Sequence, residues 1–202
     1  MSGTRISGTR ICDAVKCWAA LAVLSTTCFA QYGTRPGGGR VDRLAAPETR
    51  AVALFFVASD CPISDRTFPE MKRVREEFGA RGVAVWFVYP NSTERNADVE
   101  KHQREFDAGG DVLLDPDGDL VRLSGAKVTP EVSVLVPAGP AGWKPVYTGR
   151  VDDRFVHLGL ERPRITEHFA QEALDAVLAG KPVPRATGTP VGCGIIPVGA
   201  ER

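Results

Sequence analysis

An α/β fold, with a central mixed sheet flanked by helices, is what the sequence predicts, and three observations carry it. Residues 51–57, Ala-Val-Ala-Leu-Phe-Phe-Val, form a continuous apolar run bounded by polar residues, the pattern of a strand buried on both faces. Residues 64–79 place Phe68, Met71, Val74 and Phe78 at helical spacing, with arginines and glutamates between them. Residues 82–89 are a second apolar run, ended by Pro90, and residues 97–106 read as a second helix. This βαβα order makes the first two strands parallel.

The remaining elements follow in order. Residues 112–114 are a short strand before the turn Asp115-Pro116-Asp117-Gly118-Asp119. Residues 132–136 and 146–150 alternate as two strands of a hairpin joined by proline- and glycine-rich chain. Residues 166–179 are an amphipathic helix, opened by Thr166 as N-cap and closed by Gly180.

The ends of the chain differ from the middle. Arg5, Arg10 and Lys16 precede an apolar run over 18–24, and small residues at Cys28 and Ala30 suit cleavage before Gln31. Residues 1–30 therefore read as a secretory signal peptide, too short in its apolar part to span a bilayer as a mature helix. The expected location is exported, periplasmic or extracellular. Residues 31–50 read as a flexible leader with a short strand around 41–44, residues 51–180 as the domain, and residues 181–202 as an irregular tail. Lysine plus arginine equals aspartate plus glutamate at 25 each, so bulk electrostatics recruit neither nucleic acid nor an anionic membrane.

Of five cysteines, Cys12, Cys17 and Cys28 leave with the signal, and Cys61 and Cys193 remain. An even pair suits an oxidising compartment. Cys61 lies between a buried strand and a helix N-terminus, where free backbone N–H groups and the helix dipole favour a thiolate. Arg66 adds to that effect and Asp60 and Asp65 oppose it; the plain alternative is a cysteine used as a small hydrophobe.

Cys61-Pro62-Ile63-Ser64 directly after an apolar strand, Pro69 within the following helix and Val128-Thr129-Pro130 ahead of the next strand together resemble the thioredoxin-like superfamily. More narrowly, the chain is similar to bacterial redoxin or peroxiredoxin-like proteins with the active-site segment Asp60-Cys61-Pro62-Ile63-Ser64. The resemblance runs from about Val52 to Leu178. It implies a thioredoxin fold with Thr129-Pro130 as a cis peptide bond packed against Cys61, and it implies thiol oxidoreductase chemistry. The chain departs from the family at two positions. Ser64 stands where thioredoxins carry a second cysteine, and Ala58 where peroxiredoxins carry Thr or Ser.

Candidate catalytic residues are accordingly Cys61, Cys193, Ser64, Thr129 and Pro130. Ser64 either donates a hydrogen bond to the Cys61 sulfur or merely caps the helix. Cys193, between Gly192 and Gly194, is either a resolving or structural partner for Cys61 or a free tail thiol. His102, His157 and His168 show no metal-site spacing, and no cofactor or metal is expected. Asn91-Ser92-Thr93 matches a glycosylation acceptor. Two readings stand. One is an exported thiol oxidoreductase acting through the single helix N-terminal cysteine, Cys61, with Cys193 or an external thiol resolving the product, on a thiol- or disulfide-containing protein or a small oxidant. The other is a redox-inactive thioredoxin-fold binding module, in a copper-handling version through Cys61, Cys193 and one histidine.

Overall fold

Strand β1 (Ala51–Phe56) sits at the centre of the protein because all six of its residues are buried, so neither of its faces can meet water. The computed structural model describes residues 32–139, 142–185 and 187–196. The signal peptide read at 1–30, with Cys12, Cys17 and Cys28, lies outside the described residues. β1 pairs in parallel with β2 (Val83–Tyr89), and β2 in parallel with β3 (Asp111–Leu114). On its other side β1 pairs antiparallel with β5 (Glu131–Pro137), which pairs antiparallel with β6 (Trp143–Gly149). The five-stranded sheet thus has the order β3-β2-β1-β5-β6.

Strand alternation divides the core into two layers. Ala51, Ala53 and Phe55 join Phe68, Met71, Val74 and Phe78 of α1 (Pro62–Gly79), Val99 of α2 (Asn96–Glu105) and Leu174 of α4 (Phe169–Leu178). Phe68 stacks on Phe87 with ring centroids 4.8 Å apart and meets Phe106 at 4.9 Å. Val52, Leu54 and Phe56 face the other way, against Trp86, Leu135 and Leu120 of α3 (Asp119–Ser124). The turn expected over 115–119 leads into α3, for which the sequence predicts no element. Asp115 is what nucleates it: its carboxylate accepts the amides of Asp119, Leu120 and Val121 at 2.8–3.0 Å, satisfying orphan donors of the first turn.

The segment read as a flexible leader is packed from Tyr32 onward. Tyr32, Val41 and Leu44 are buried in the second layer, and the Trp86 indole donates to the Leu44 carbonyl at 2.7 Å. No strand forms over 41–44; Thr34 instead bridges Arg40 and Leu114 at the sheet edge. The reason is geometric, since the six-residue α3 is too short to cover this apolar face alone.

The last helix also starts later than Thr166. The Thr166 amide and hydroxyl both donate to Asp153, at 2.8 and 2.5 Å, so that side chain is not free to cap, and His168 occupies the N-cap. Gly180 does close the helix, in the left-handed region at φ 63°. Four short strands complete the fold: β4 (Val128–Thr129) pairs with β9 (Cys193–Gly194), and β7 (Phe155–His157) with β8 (Leu160–Glu161). None of the helices among the described residues is long and apolar enough to cross a membrane.

Candidate active site

The site begins where β1 ends. The Val57 amide continues the β1–β2 ladder to the Val88 carbonyl, and the chain then turns through Ser59 and Asp60 into Cys61, the N-cap of α1. Pro62 at the first helical position gives up no needed donor and presets the helical φ. Cys61 is wholly buried, and no side chain caps the helix. Its sulfur lies 3.2 Å from the Thr129 carbonyl oxygen, and the Thr129-Pro130 peptide bond is cis. The sequence-based expectation of that bond beside Cys61 is met.

Cys193 comes to the same point from the tail. β9 runs antiparallel to β4 with Thr129 opposite Cys193 and Val128 opposite Gly194, and Cys193 is disulfide-bonded to Cys61. The Cα atoms are 6.2 Å apart, within the span a disulfide tolerates, across a sequence separation of 132. Of the alternatives for Cys193, the free tail thiol is thereby set aside. Its strand is held by few bonds: the Ile195 amide donates to the Lys127 carbonyl at 3.0 Å and the Ile196 amide to the Asn91 side-chain oxygen at 2.9 Å. The Glu131 carboxylate accepts the amides of Lys127 and Val128, which fixes the bend carrying Thr129.

Several side chains do other work than the sequence suggested. The Ser64 hydroxyl accepts the Ala58 amide at 3.4 Å, so it ties down the loop before Cys61. Arg66 pairs with Glu161 of β8 at 3.0 Å, directing its charge to the β7–β8 hairpin. Asp65 binds His102 at 2.9 Å. His102 is buried, and its other nitrogen meets the Tyr89 hydroxyl at 2.6 Å, which in turn accepts from Gln103. A neutral imidazole protonated at Nε2 satisfies every member: Nε2–H to Asp65, Tyr89 O–H to Nδ1, Gln103 N–H to Tyr89. Burial raises the Tyr89 phenol well above its ordinary range, which keeps it a donor. This chain ties the first turn of α1 to β2 and α2. Glu94 accepts both the amide and the hydroxyl of Ser59, at 3.0 and 2.6 Å, and burial pushes its carboxyl up.

No group of three metal-binding side chains occurs among the described residues. A copper site through Cys61 and Cys193 would need two thiolates, and here the sulfurs are bonded to each other. Asn91, read as a glycosylation acceptor, is buried and holds the tail. Sequence reasoning missed Asn91, Glu131 and Gly192 as parts of the site. Only Gly192 left a signal, as the first of the two glycines that flank Cys193.

A central mixed sheet with flanking helices, a cysteine at the N-cap of α1 and a cis-proline against it define a thioredoxin-fold redoxin. The AhpC/TSA family model matches residues 34–141, more than half of the chain, and the protein belongs to that family. Among solved structures it is similar to an uncharacterized conserved protein from Geobacillus kaustophilus, at 22% identity and TM-score 0.66, covering 83% of this chain and 88% of that one. A hypothetical protein from Sinorhizobium meliloti 1021 gives 22% identity and TM-score 0.68, with 85% and 93% covered. A secreted disulfide oxidoreductase from Mycobacterium tuberculosis gives 14% identity and TM-score 0.47, with 75% and 96% covered. No curated protein matches the chain.

Proposed function

We propose that the protein is an exported thiol–disulfide oxidoreductase whose exchanging pair is Cys61 and Cys193, acting on thiol- or disulfide-containing proteins outside the cytoplasm. The single observation that carries this is the disulfide placed at the N-terminus of α1 against the Thr129-Pro130 bond. A disulfide also suits an oxidising compartment.

Burial sets the order of events. Cys61 is inaccessible, whereas Cys193 is partly exposed, so an incoming reductant thiolate meets Cys193 first. A bond forms to the Cys193 sulfur, the Cys61–Cys193 bond breaks, and Cys61 leaves as a thiolate stabilised by the unpaired amides of the helix terminus. A second reductant thiolate attacks the reductant sulfur of the mixed disulfide and releases Cys193 as a thiolate. Cys61 thiolate then attacks a substrate disulfide and expels one substrate thiolate, and Cys193 attacks the Cys61 sulfur and expels the other. The net change is transfer of two electrons from two reductant thiols to one substrate disulfide. Thr129 and Pro130 wall the sulfur, and Ser64 positions the loop before it.

The complete burial of Cys61 favours a second reading, a thioredoxin-fold binding module in which the bond is a permanent staple. Equilibration of the native protein in glutathione redox buffers, followed by acid quench, alkylation and intact mass, separates the two. A reversible two-electron equilibrium at Cys61 and Cys193 supports exchange. A pair that stays oxidised in excess glutathione while the fold is intact overturns it.

A further inference from the structure

The tail shows what kind of polypeptide the reduced site accepts. Cys193 and Gly194 lie as an extended strand along Thr129 and Val128, Gly192 is the bend that leads into it, and Cys193 is bonded to Cys61. Any partner that forms a mixed disulfide with Cys61 must bring its own chain through the same place, because Cys61 is closed on its other sides. The two glycines there are not equivalent. A Cβ built on Gly192 would fall inside the van der Waals shell of the Thr129 carbonyl oxygen, 2.7 Å from the carbonyl carbon and 3.2 Å from the Pro130 nitrogen. All three are backbone atoms, locked by β4 on one side and the cis-proline on the other, so they cannot yield as a side-chain tip would. A Cβ on Gly194 would meet nothing within 4 Å. Gly192 does not have a positive φ, so the demand for glycine is one of space alone.

The geometry points to a substrate preference: the partner of Cys61 is a cysteine that opens an extended segment and whose preceding residue is glycine, while the following residue is unrestricted. The inference rests on the proposed function and specifies its substrate. Beyond the cysteine, the Lys127 carbonyl and the Asn91 side chain now accept the amides of Ile195 and Ile196. They would accept a partner's amides two and three residues past its cysteine, which reads backbone and leaves the side chains there open. The tail is thus a built-in competitor that holds the substrate's place, and the enzyme opens to substrate only once Cys193 has been reduced.

The test uses the Cys193→Ser variant of the processed protein from Gln31 onward, in which Cys61 is the one cysteine left, and three acetylated hexapeptide amides, Val-Gly-Cys-Gly-Ile-Ile, Val-Ala-Cys-Gly-Ile-Ile and Val-Gly-Cys-Ala-Ile-Ile, each as its mixed disulfide with thionitrobenzoate. Cys61 thiolate attacks the peptide sulfur, a Cys61–peptide disulfide forms, and thionitrobenzoate leaves and is read by its absorbance. The tail competes equally with all three peptides and so drops out of the ratios. Alanine before the cysteine should slow the reaction about tenfold or more, the scale of overpacking against rigid backbone. Alanine after it should leave the rate within about twofold. Equal rates for all three peptides, or equal loss from either alanine, overturn the preference. The mixed disulfide of free cysteine with thionitrobenzoate serves as the reference for the parent reading. If Cys61 fails to react with that small reagent as well as with the peptides, the exchange function itself falls; if it reacts but shows no glycine preference, only the substrate assignment does.

Discussion

The two halves of the disulfide are held by very different parts of the molecule. Cys61 stands at the junction of β1 and α1, where the neighbouring strand residues have no exposure and the helix runs for 18 residues. Cys193 hangs on a two-residue strand whose described hydrogen bonds run only to Val128–Thr129, Lys127 and Asn91. A bond between a fixed sulfur and a detachable one changes only one side when it breaks. Under the proposed exchange, the scaffold keeps the helix terminus in place while the arm departs.

Cutting the link tests this contrast most severely. The bond closes a loop of 132 residues, and in the chain-entropy view its removal in Cys193→Ser costs up to about 5 kcal/mol. Urea unfolding of variant and parent should show that loss, while hydrogen exchange speeds up at 192–196 and stays slow in β1 and α1. Global acceleration would mean that the two halves are not separable.

The converse variant attacks the fixed half. Phe87→Ala removes a buried ring stacked between Phe55 and Phe68 and should cost about 3–5 kcal/mol. Under conditions where the variant stays folded, its Cys61–Cys193 equilibrium with glutathione should match the parent's. A large shift there would show that the core tunes the exchange.

A finer version works within the arm. Gly192→Ala should weaken the docked tail by about 1–3 kcal/mol through its clash with the Thr129 carbonyl, and Gly194→Ala should change little. The ratio of oxidised to reduced protein at fixed glutathione poise reads both.

The smallest effect concerns the clamp between α1 and α4. Burial pushes the Glu70 carboxyl up, but hydrogen bonds from Arg73 and His168 outweigh it and hold the group below its ordinary value. A depressed carboxyl contributes stability above its unfolded value and loses it as the pH falls through the folded one. Glu70→Gln should therefore flatten the loss of stability as the pH falls below the ordinary glutamate value, without altering exchange at Cys61. An unchanged acid slope would remove Glu70 from that role.

The sequence announced the fixed half far more clearly than the arm. β1, β2 and α1 are each defined by one local period, because each buries a whole face against the same core. The cis-proline was found through resemblance, by its place before a strand. β4 and β9 have only two residues each, too few for any period, and they exist because the disulfide and the cis-proline bring them together. The leader looked loose because its three core residues, Tyr32, Val41 and Leu44, follow no spacing. They fill gaps in a surface made elsewhere in the chain. Thr166 illustrates the opposite failure, a correct local cap signal overridden by a distant carboxylate, Asp153.

The order of synthesis gives the long loop a further consequence. When Cys61 first emerges from a ribosome or an export channel, its eventual partner is still 132 residues behind. By the time Cys193 arrives, β1, α1, β5 and the Thr129-Pro130 turn have all preceded it and can already have assembled. The native bond is therefore not required to guide their assembly, and it can close against a pocket they have built. The fold that buries Cys61 also shields its sulfur, so a chain that has not folded leaves that thiol open to other thiols.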